Sequence, residues 1–143
     1  TPANIKAACS ILDACISHIY HQRMLEVRSL DTAQQIEKYI NDNIAWDLSI
    51  EHLCAHFSVS RAELYQIFHT SFNASVADYI RSKRIAMAEQ MIRTTSMQIS
   101  EIAANVGFYD YNYFSKVFHR KFGCSPREYR KRLESSGEAA EKE

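Results

Sequence analysis

Apolar residues recur at steps of three and four through the first 27 positions of the chain, so they would share one side of a helix. Such a helix has about seven turns. The stripe has two equally good interpretations: packing against an upstream domain, or forming the seam of a parallel two-helix homodimer. The sequence therefore predicts an amphipathic linker or signalling helix in residues 1–30. Its stripe, within residues 5–27, consists of Ile5, Cys9, Leu12, Ile16, Ile19, Tyr20, Met24 and Val27.

A second helix is predicted to begin at Asp31, because its carboxylate can accept hydrogen bonds from the free backbone amides of Ala33 and Gln34. The apolar positions that follow have the spacing of one buried helical face. The expected core residues of this helix are Ile36, Tyr39, Ile40 and Ile44.

Two short helices follow, each preceded by a serine at the capping position. Ser49 would cap a helix that ends near His56. Ser60 and Glu63 form a complete capping box for a helix that ends near His69. Two short helices separated by three or four residues are a candidate helix-turn-helix motif.

The helix-turn-helix pattern occurs twice along the chain. Residues 50–55 and 99–104 carry matching apolar positions at an offset of 49, and the pattern of residues 64–72 returns in residues 114–122 at an offset of 50. The change of offset indicates one extra residue in the second turn. The segment between the units, from Val76 to about residue 93, contains neither Gly nor Pro, so one continuous helix would join them rigidly.

The predicted fold is therefore all-α, with two helix-turn-helix subdomains joined by a long central helix and preceded by the long amphipathic N-terminal helix. The double helix-turn-helix domain would occupy residues 31–132. It would consist of a first unit in residues 31–80, a linker helix in residues 76–94 and a second unit in residues 95–132. The polar, acidic residues 133–143 are expected to form a disordered tail.

Positive charge is concentrated in the second half of the chain, although the net charge is zero. Residues 81–132 hold eleven basic and four acidic side chains. A phosphate-binding surface needs such a concentration, and a solvated helix face explains it equally well.

The second helix of each unit has an apolar inward face and a polar outward face. In a helix-turn-helix protein this helix enters the major groove, with its N-terminal side chains toward the base edges. Gln66 and Asn112 can pair with adenine, and Arg61 or Lys116 with guanine. Ala62 can contact a thymine methyl group. The base-contact candidates are Arg61, Ala62, Tyr65, Gln66, Tyr111, Asn112, Ser115 and Lys116.

The second unit also contains many residues that match a known sequence signature. They are residues 102–108, Asp110, 113–115, 117–118, 121–123, Ser125, Pro126, Tyr129 and Arg130. With these residues the chain resembles, over positions 31–132, the DNA-binding domain of AraC/XylS-type bacterial transcription regulators. The resemblance implies double-stranded DNA as the partner and two recognition helices in successive major grooves, ~34 Å apart. The sequence departs from the family pattern at Cys54, Ser58 and Gln98.

The stretch VGFYDYNYFSKVF, residues 106–118, is predicted to divide between core and surface. Its phenylalanines would be buried, Gly107 would make a turn with positive φ, and Asp110 would cap the recognition helix. Tyr111 is expected to be exposed as a base reader and Tyr113 to contact phosphate, whereas the role of Tyr109 stays open. The phosphate-contact candidates are Ser60, Tyr113, Arg120 and Lys121.

Other functions are less consistent with the sequence. His52 and His56 could share a helix face and bind zinc, but no third ligand is evident, and no nucleophile motif or Gly-rich phosphate loop occurs. We therefore expect no catalytic residues, metal or cofactor. A helical protein-interaction module would explain the stripe of residues 5–27 but not the duplicated polar faces.

The cellular context follows from what the chain contains. Four cysteines without a paired spacing indicate reduced thiols, and no apolar run reaches the roughly 18 residues of a membrane span. We expect a soluble cytoplasmic bacterial protein without membrane contact. Because the chain starts without Met and runs directly into a helix, we expect upstream residues to be missing. The N-terminal helix is similar to the segment that connects a sensory domain to the DNA-binding domain in some larger family members, and this resemblance implies that the missing part is a sensory or effector domain.

Overall fold

The computed structural model describes residues 1–140, which form helices and contain no strand. Two helix-turn-helix units, α2–α3 and α5–α6, are joined by the long helix α4, which confirms the predicted all-α architecture. The helices are α1 (Pro2–Asp42), α2 (Ile50–Phe57), α3 (Arg61–Ile67, continued by a π-helical turn over Phe68–Phe72), α4 (Val76–Thr94), α5 (Ile99–Asn105), α6 (Tyr111–Phe122) and α7 (Pro126–Ala140).

Helix α1 is continuous, so the predicted helix start at Asp31 is wrong. Nothing near this position breaks the helix, because Pro2 is followed by no Gly or Pro until residue 107. Instead of capping, the Asp31 carboxylate accepts a hydrogen bond from Gln35 Nε2 at 3.0 Å, one turn further on. The Thr32 hydroxyl donates to the Arg28 carbonyl at 2.9 Å. The amphipathic helix and the first helix of the DNA-binding domain are therefore a single rod.

The second helix of the first unit runs further than the predicted end at His69. After α3 the backbone continues as a π-helical turn to Phe72 and stops at Asn73, which has φ 50°. The turn lets Phe72 pack against Phe68 and Tyr79, with ring centroids 5.2 and 4.3 Å away. Residues 61–72 thereby match the length of α6, residues 111–122, and the offset of 50 is kept.

Two separate hydrophobic cores show that the duplication extends beyond the helix-turn-helix pairs. The C-terminal turns of α1 bury Ala33, Ile36 and Ile40 in the first core. The C-terminal half of α4 buries Ile85, Ala88 and Ile92, at an offset of 52, in the second core. Helix α4 therefore both closes the first unit, through Val76 and Ile80, and opens the second.

A polar anchor joins the first and last helix of each unit. In the first unit the Glu37 carboxylate accepts hydrogen bonds from Lys83 Nζ at 2.8 Å and from the Tyr79 hydroxyl at 2.9 Å. These bonds lower the pKa of Glu37.

In the second unit the Glu89 carboxylate accepts hydrogen bonds from the Tyr129 hydroxyl and from Arg93. Burial by itself would raise the pKa of Glu89, but the bonds from Tyr129 and Arg93 outweigh it and the pKa is lowered. Each anchor therefore favours the ionised carboxylate and holds two helices together.

The predicted disordered tail is wrong for residues 133–140, which continue α7. Leu133 packs against the second core, and the hydroxyls of Ser135 and Ser136 donate to carbonyls four residues back. These contacts extend the helix past the expected boundary. Residues 141–143 of the predicted tail lie outside the described residues.

Candidate nucleic-acid interface

Local capping fixes where each recognition helix begins. The Ser60 hydroxyl accepts from the Glu63 amide at 3.2 Å, and the Glu63 carboxylate accepts from the Ser60 amide at 2.7 Å. At the start of α6 the Asp110 carboxylate accepts from the amides of Asn112 and Tyr113, at 2.8 and 3.2 Å. The predicted capping box and the predicted Asp110 cap are confirmed.

The outward face of α3 is exposed as the sequence predicts. Leu64 and Ile67 are buried in the first core. Ser60, Arg61, Ala62, Tyr65 and Gln66 are all exposed. One contact on this face was not predicted: the Arg61 guanidinium forms an ion pair with Glu51 on α2.

The outward face of α6 is more mixed. Asn112, Lys116, Arg120 and Lys121 are exposed, but Ser115 is half-buried. A shallow groove runs along this face between α6 and the start of α7, and no residue of it belongs to the first unit. Its lining consists of Asn112, Ser115, Lys116, His119, Arg120 and Ser125.

The three tyrosines of the aromatic stretch differ from expectation in their exposure. Tyr111 is half-buried against Phe114, with ring centroids 6.2 Å apart, so the exposed position expected for it is wrong. Tyr113 is 45% exposed beside Phe108, and Tyr109 is 91% exposed. Helical periodicity places Tyr111 on the edge of the buried face, whereas Tyr109 lies in the turn before the helix.

The turn of the second unit packs directly against the first unit. Gly107 has φ 91°, as predicted, and a Cβ at this position would lie 2.8 Å from the Ile44 carbonyl oxygen and 2.9 Å from the Arg84 guanidinium. Arg84 in turn donates to the carbonyls of Ile44 and Trp46 at 3.0 and 2.9 Å. Burial lowers the pKa of this guanidinium. This junction fixes the orientation of the two units.

A cleft beside this junction brings together residues that the sequence did not predict to share a site. It lies between the units and is lined by residues 46–49 before α2, by one face of α4, and by residues 107–110 with Tyr113 at the start of α6. Arg81 lies in it and forms an ion pair with Asp78 at 2.6 Å. Trp46, 72% exposed, and Tyr109 flank it. No sequence motif could indicate this cleft, because its residues come from three separate segments.

The histidine pair considered for metal binding has other partners. His52 Nε2 lies 2.7 Å from the Tyr39 hydroxyl, and the His56 ring stacks on the Tyr39 ring at 4.1 Å. Within residues 1–140 no three His, Cys, Asp or Glu side chains come together in a group that could hold a metal ion. The histidines connect α2 to α1.

The apolar stripe of α1 has no partner among the described residues. Its large side chains, from Ile5 to Val27, are each more than half exposed. Cys9 and Cys15 are exposed thiols on this segment, and none of the four cysteines forms a disulfide. No helix in the described part of the chain is long and apolar enough to cross a membrane.

These features define a class of protein. Two capped recognition helices present polar faces, a rigid helix connects their units, and basic residues are concentrated on the second unit. Such an arrangement is a double helix-turn-helix DNA-binding domain.

Comparison with known proteins identifies the family. A family model described as a helix-turn-helix domain matches residues 53–132. The chain is 34% identical to the transcriptional activator RhaR of Cronobacter sakazakii over 100 residues, which is 70% of this chain and 35% of RhaR. It is 35% identical to the regulatory protein SoxS of Escherichia coli over 104 residues, which is 68% of this chain and 97% of SoxS.

The solved structure of an AraC-type transcriptional regulator from Chromobacterium violaceum matches with a TM-score of 0.68 at 25% identity, over 75% of this chain and 96% of that one. The chain belongs to the AraC/XylS-type family of bacterial transcription regulators and contains its DNA-binding domain. It spans about a third of the length of RhaR.

Proposed function

We propose that α3 and α6 enter successive major grooves on one side of double-stranded DNA and read its bases, as the DNA-binding domain of a transcription regulator acting in the bacterial cytoplasm. The observation that carries this proposal is the duplication of a capped helix with a polar, exposed N-terminal face on both ends of one rigid connector. Gln66 and Asn112 are the proposed adenine readers, and Arg61 and Lys116 are the proposed guanine readers.

Phosphate contacts would hold the domain on the duplex. Arg120 and Lys121 are exposed at the end of α6, and the N-termini of α3 and α6 add Ser60 and Tyr113. The central cleft would add Arg81, since two helices in successive major grooves place the intervening DNA backbone opposite the connector α4. The first unit supplies few positive charges, so phosphate affinity would come mainly from α4 and the second unit.

Selection of bound sequences from random duplex DNA tests the proposal. We expect one recurring sequence with two short specific segments about one helical turn apart, and an affinity that falls steeply between about 50 and 200 mM salt. Recovery of no preferred sequence, or binding insensitive to salt, would contradict the assignment. A helical protein-interaction module predicts that outcome.

We also propose that the stripe of α1 forms the seam of a homodimer. The stripe extends over about seven turns, its apolar side chains are exposed, and few charges flank it. A second helix of equal length would cover it, and another copy of α1 is such a helix. The part of α1 before residue 28 is free to pair, because the residues of α1 in the first core begin at Ala33.

Two native cysteines make the seam testable without new reporters. Cys9 lies in the stripe, and Cys15 lies about a third of a turn around the helix. Mild oxidation should therefore cross-link two chains through Cys9 on a non-reducing gel. Cys15→Ser should keep this cross-link and Cys9→Ser should lose it. Cross-linking that depends on Cys15 instead would place the interface on another face.

A further inference from the structure

We infer that a dimer of this chain recognises two copies of its DNA site as an inverted repeat and not as a direct repeat. The inference rests on the DNA-binding and dimer functions proposed above, and it concerns the arrangement of the operator. Its basis is the continuity of α1 from the apolar stripe into the core of the first unit.

The junction between the stripe and the DNA-binding domain contains no hinge. Residues 28–35 are helical, and side-chain hydrogen bonds from Thr32 to the Arg28 carbonyl and from Gln35 to Asp31 span them. Flexible attachment would need a loop or a glycine-rich segment, and α1 has neither.

The last three turns of α1 are held on three sides by the first unit. Ile36 and Ile40 are completely buried. Glu37 accepts hydrogen bonds from Tyr79 and Lys83 of α4, while Tyr39 contacts His52 and His56 of α2. The Gly107 and Arg84 junction then fixes the second unit against the first. The whole DNA-binding domain is therefore attached to the stripe as one body.

The stripe remains accessible in this arrangement. From the helical repeat, its centre lies about two fifths of a turn around α1 from the face that carries Ile36 and Ile40. Two chains can thus join along the stripe with each DNA-binding domain attached outside the seam.

Symmetry then determines the DNA arrangement. A closed dimer of identical chains has a two-fold axis, and rigid attachment makes that axis relate the two DNA-binding domains as well. The two-fold axes of duplex DNA lie perpendicular to its length and relate inverted half-sites. A direct repeat needs both domains in the same orientation along the DNA, which requires at least one flexible connection.

The test uses residues 1–143 and synthetic duplexes carrying the selected site once, twice as an inverted repeat, or twice as a direct repeat. The spacing of both repeats is varied in single base-pair steps over about 10 base pairs. At the best spacing we expect binding to the inverted repeat about 100-fold tighter than to the single site, and a gain of less than about threefold on any direct repeat.

Two variants sharpen the test. A ten-residue Gly-Ser insertion after Ser29 should allow the same gain on direct and inverted repeats, because it frees the domains from the seam. Leu12→Ser combined with Ile16→Ser should remove the gain on both repeats and leave binding to the single site unchanged.

Equal gains for the unmodified chain on direct and inverted repeats would overturn the inference, and so would the absence of any gain on the inverted repeats. If the unmodified chain did not bind the single-site duplex at all, the result would instead contradict the proposed DNA-binding function.

Discussion

The two helix-turn-helix units share a backbone plan but have opposite charge. Residues 31–80 contain two basic and seven acidic side chains, whereas residues 95–132 contain seven basic and three acidic ones. In the first unit Arg61 is paired with Glu51, and in the second unit Arg120 and Lys121 stand exposed without such a partner among the described residues. One backbone plan thus carries two different charge distributions, and under the proposed function phosphate attraction would be concentrated on the second unit.

The turns of the two units also differ in what surrounds them. Ser58 adopts φ 53° at an exposed position, which a non-glycine residue can occupy at modest cost. Gly107 has φ 91° and abuts the Ile44 carbonyl of the first unit. The second turn therefore belongs to the interface between the units, and the first turn does not.

The largest expected change in stability comes from substituting the glycine in the second of these turns. Gly107→Ala should destabilise the protein by about 3 kcal/mol, because backbone strain and a collision with the Ile44 carbonyl add. Ser58→Ala, the matched change in the first unit, should cost less than about 1 kcal/mol. Urea unfolding monitored by circular dichroism measures both values. Similar losses for the two variants would show that the second turn is not under tertiary constraint.

We expect the two units to contribute more equally to base recognition than to positive charge. Asn112→Ala and Gln66→Ala should each weaken binding to the selected site by about 1–3 kcal/mol and change binding to random DNA little. Fluorescence anisotropy with both duplexes provides the measurement. A loss confined to Asn112→Ala would mean that the first unit does not read bases, and equal losses on both DNAs would mean that neither side chain does.

The charge difference predicts unequal salt dependence. Arg120→Gln and Lys121→Gln should each reduce the slope of log affinity against log salt by about 1, because each would remove one proposed phosphate contact. Arg61→Gln should change the slope less, since Glu51 already pairs with this guanidinium. A larger slope change for Arg61→Gln than for the α6 variants would reverse the proposed division between the units.

The smallest effect concerns the polar anchors. The folded-state pKa values of Glu37 and Glu89 are lowered, so their stabilising contributions are complete above the unfolded value, about 4.3, and are lost as the pH falls through the folded values. Glu89→Gln and Glu37→Gln should each flatten the acid side of a stability–pH profile, by less than about 1 kcal/mol.

A profile that steepens on the acid side in either variant would contradict the direction of these pKa shifts. Tyr79→Phe and Tyr129→Phe serve as controls, because each removes one donor to the carboxylate and keeps its charge. Each control should weaken the corresponding pH dependence without abolishing it.

Much of the recognition surface could be predicted because helical periodicity determines which residues share a face. Leu64 and Phe114 are buried and Gln66 and Asn112 exposed as the spacing predicts. Capping depends on neighbouring residues, so the helix starts after Ser49, Ser60 and Asp110 were also predictable. The burial of residues at the edge of a face, such as Tyr111, was not predictable, because the spacing alone does not determine how far the neighbouring segments cover that edge.

By itself the sequence determined the helices, their duplication and the outward faces of α3 and α6, because each depends on residues within a few turns of one another. The structure also shows α1 as a single rod, because no helix breaker stands near Asp31 and the available cap is not used. Only the tertiary structure decided that Gly107 meets Ile44 and that Arg81 lies in a cleft with Trp46. These contacts join segments more than 30 residues apart, so no local pattern in the sequence contains them.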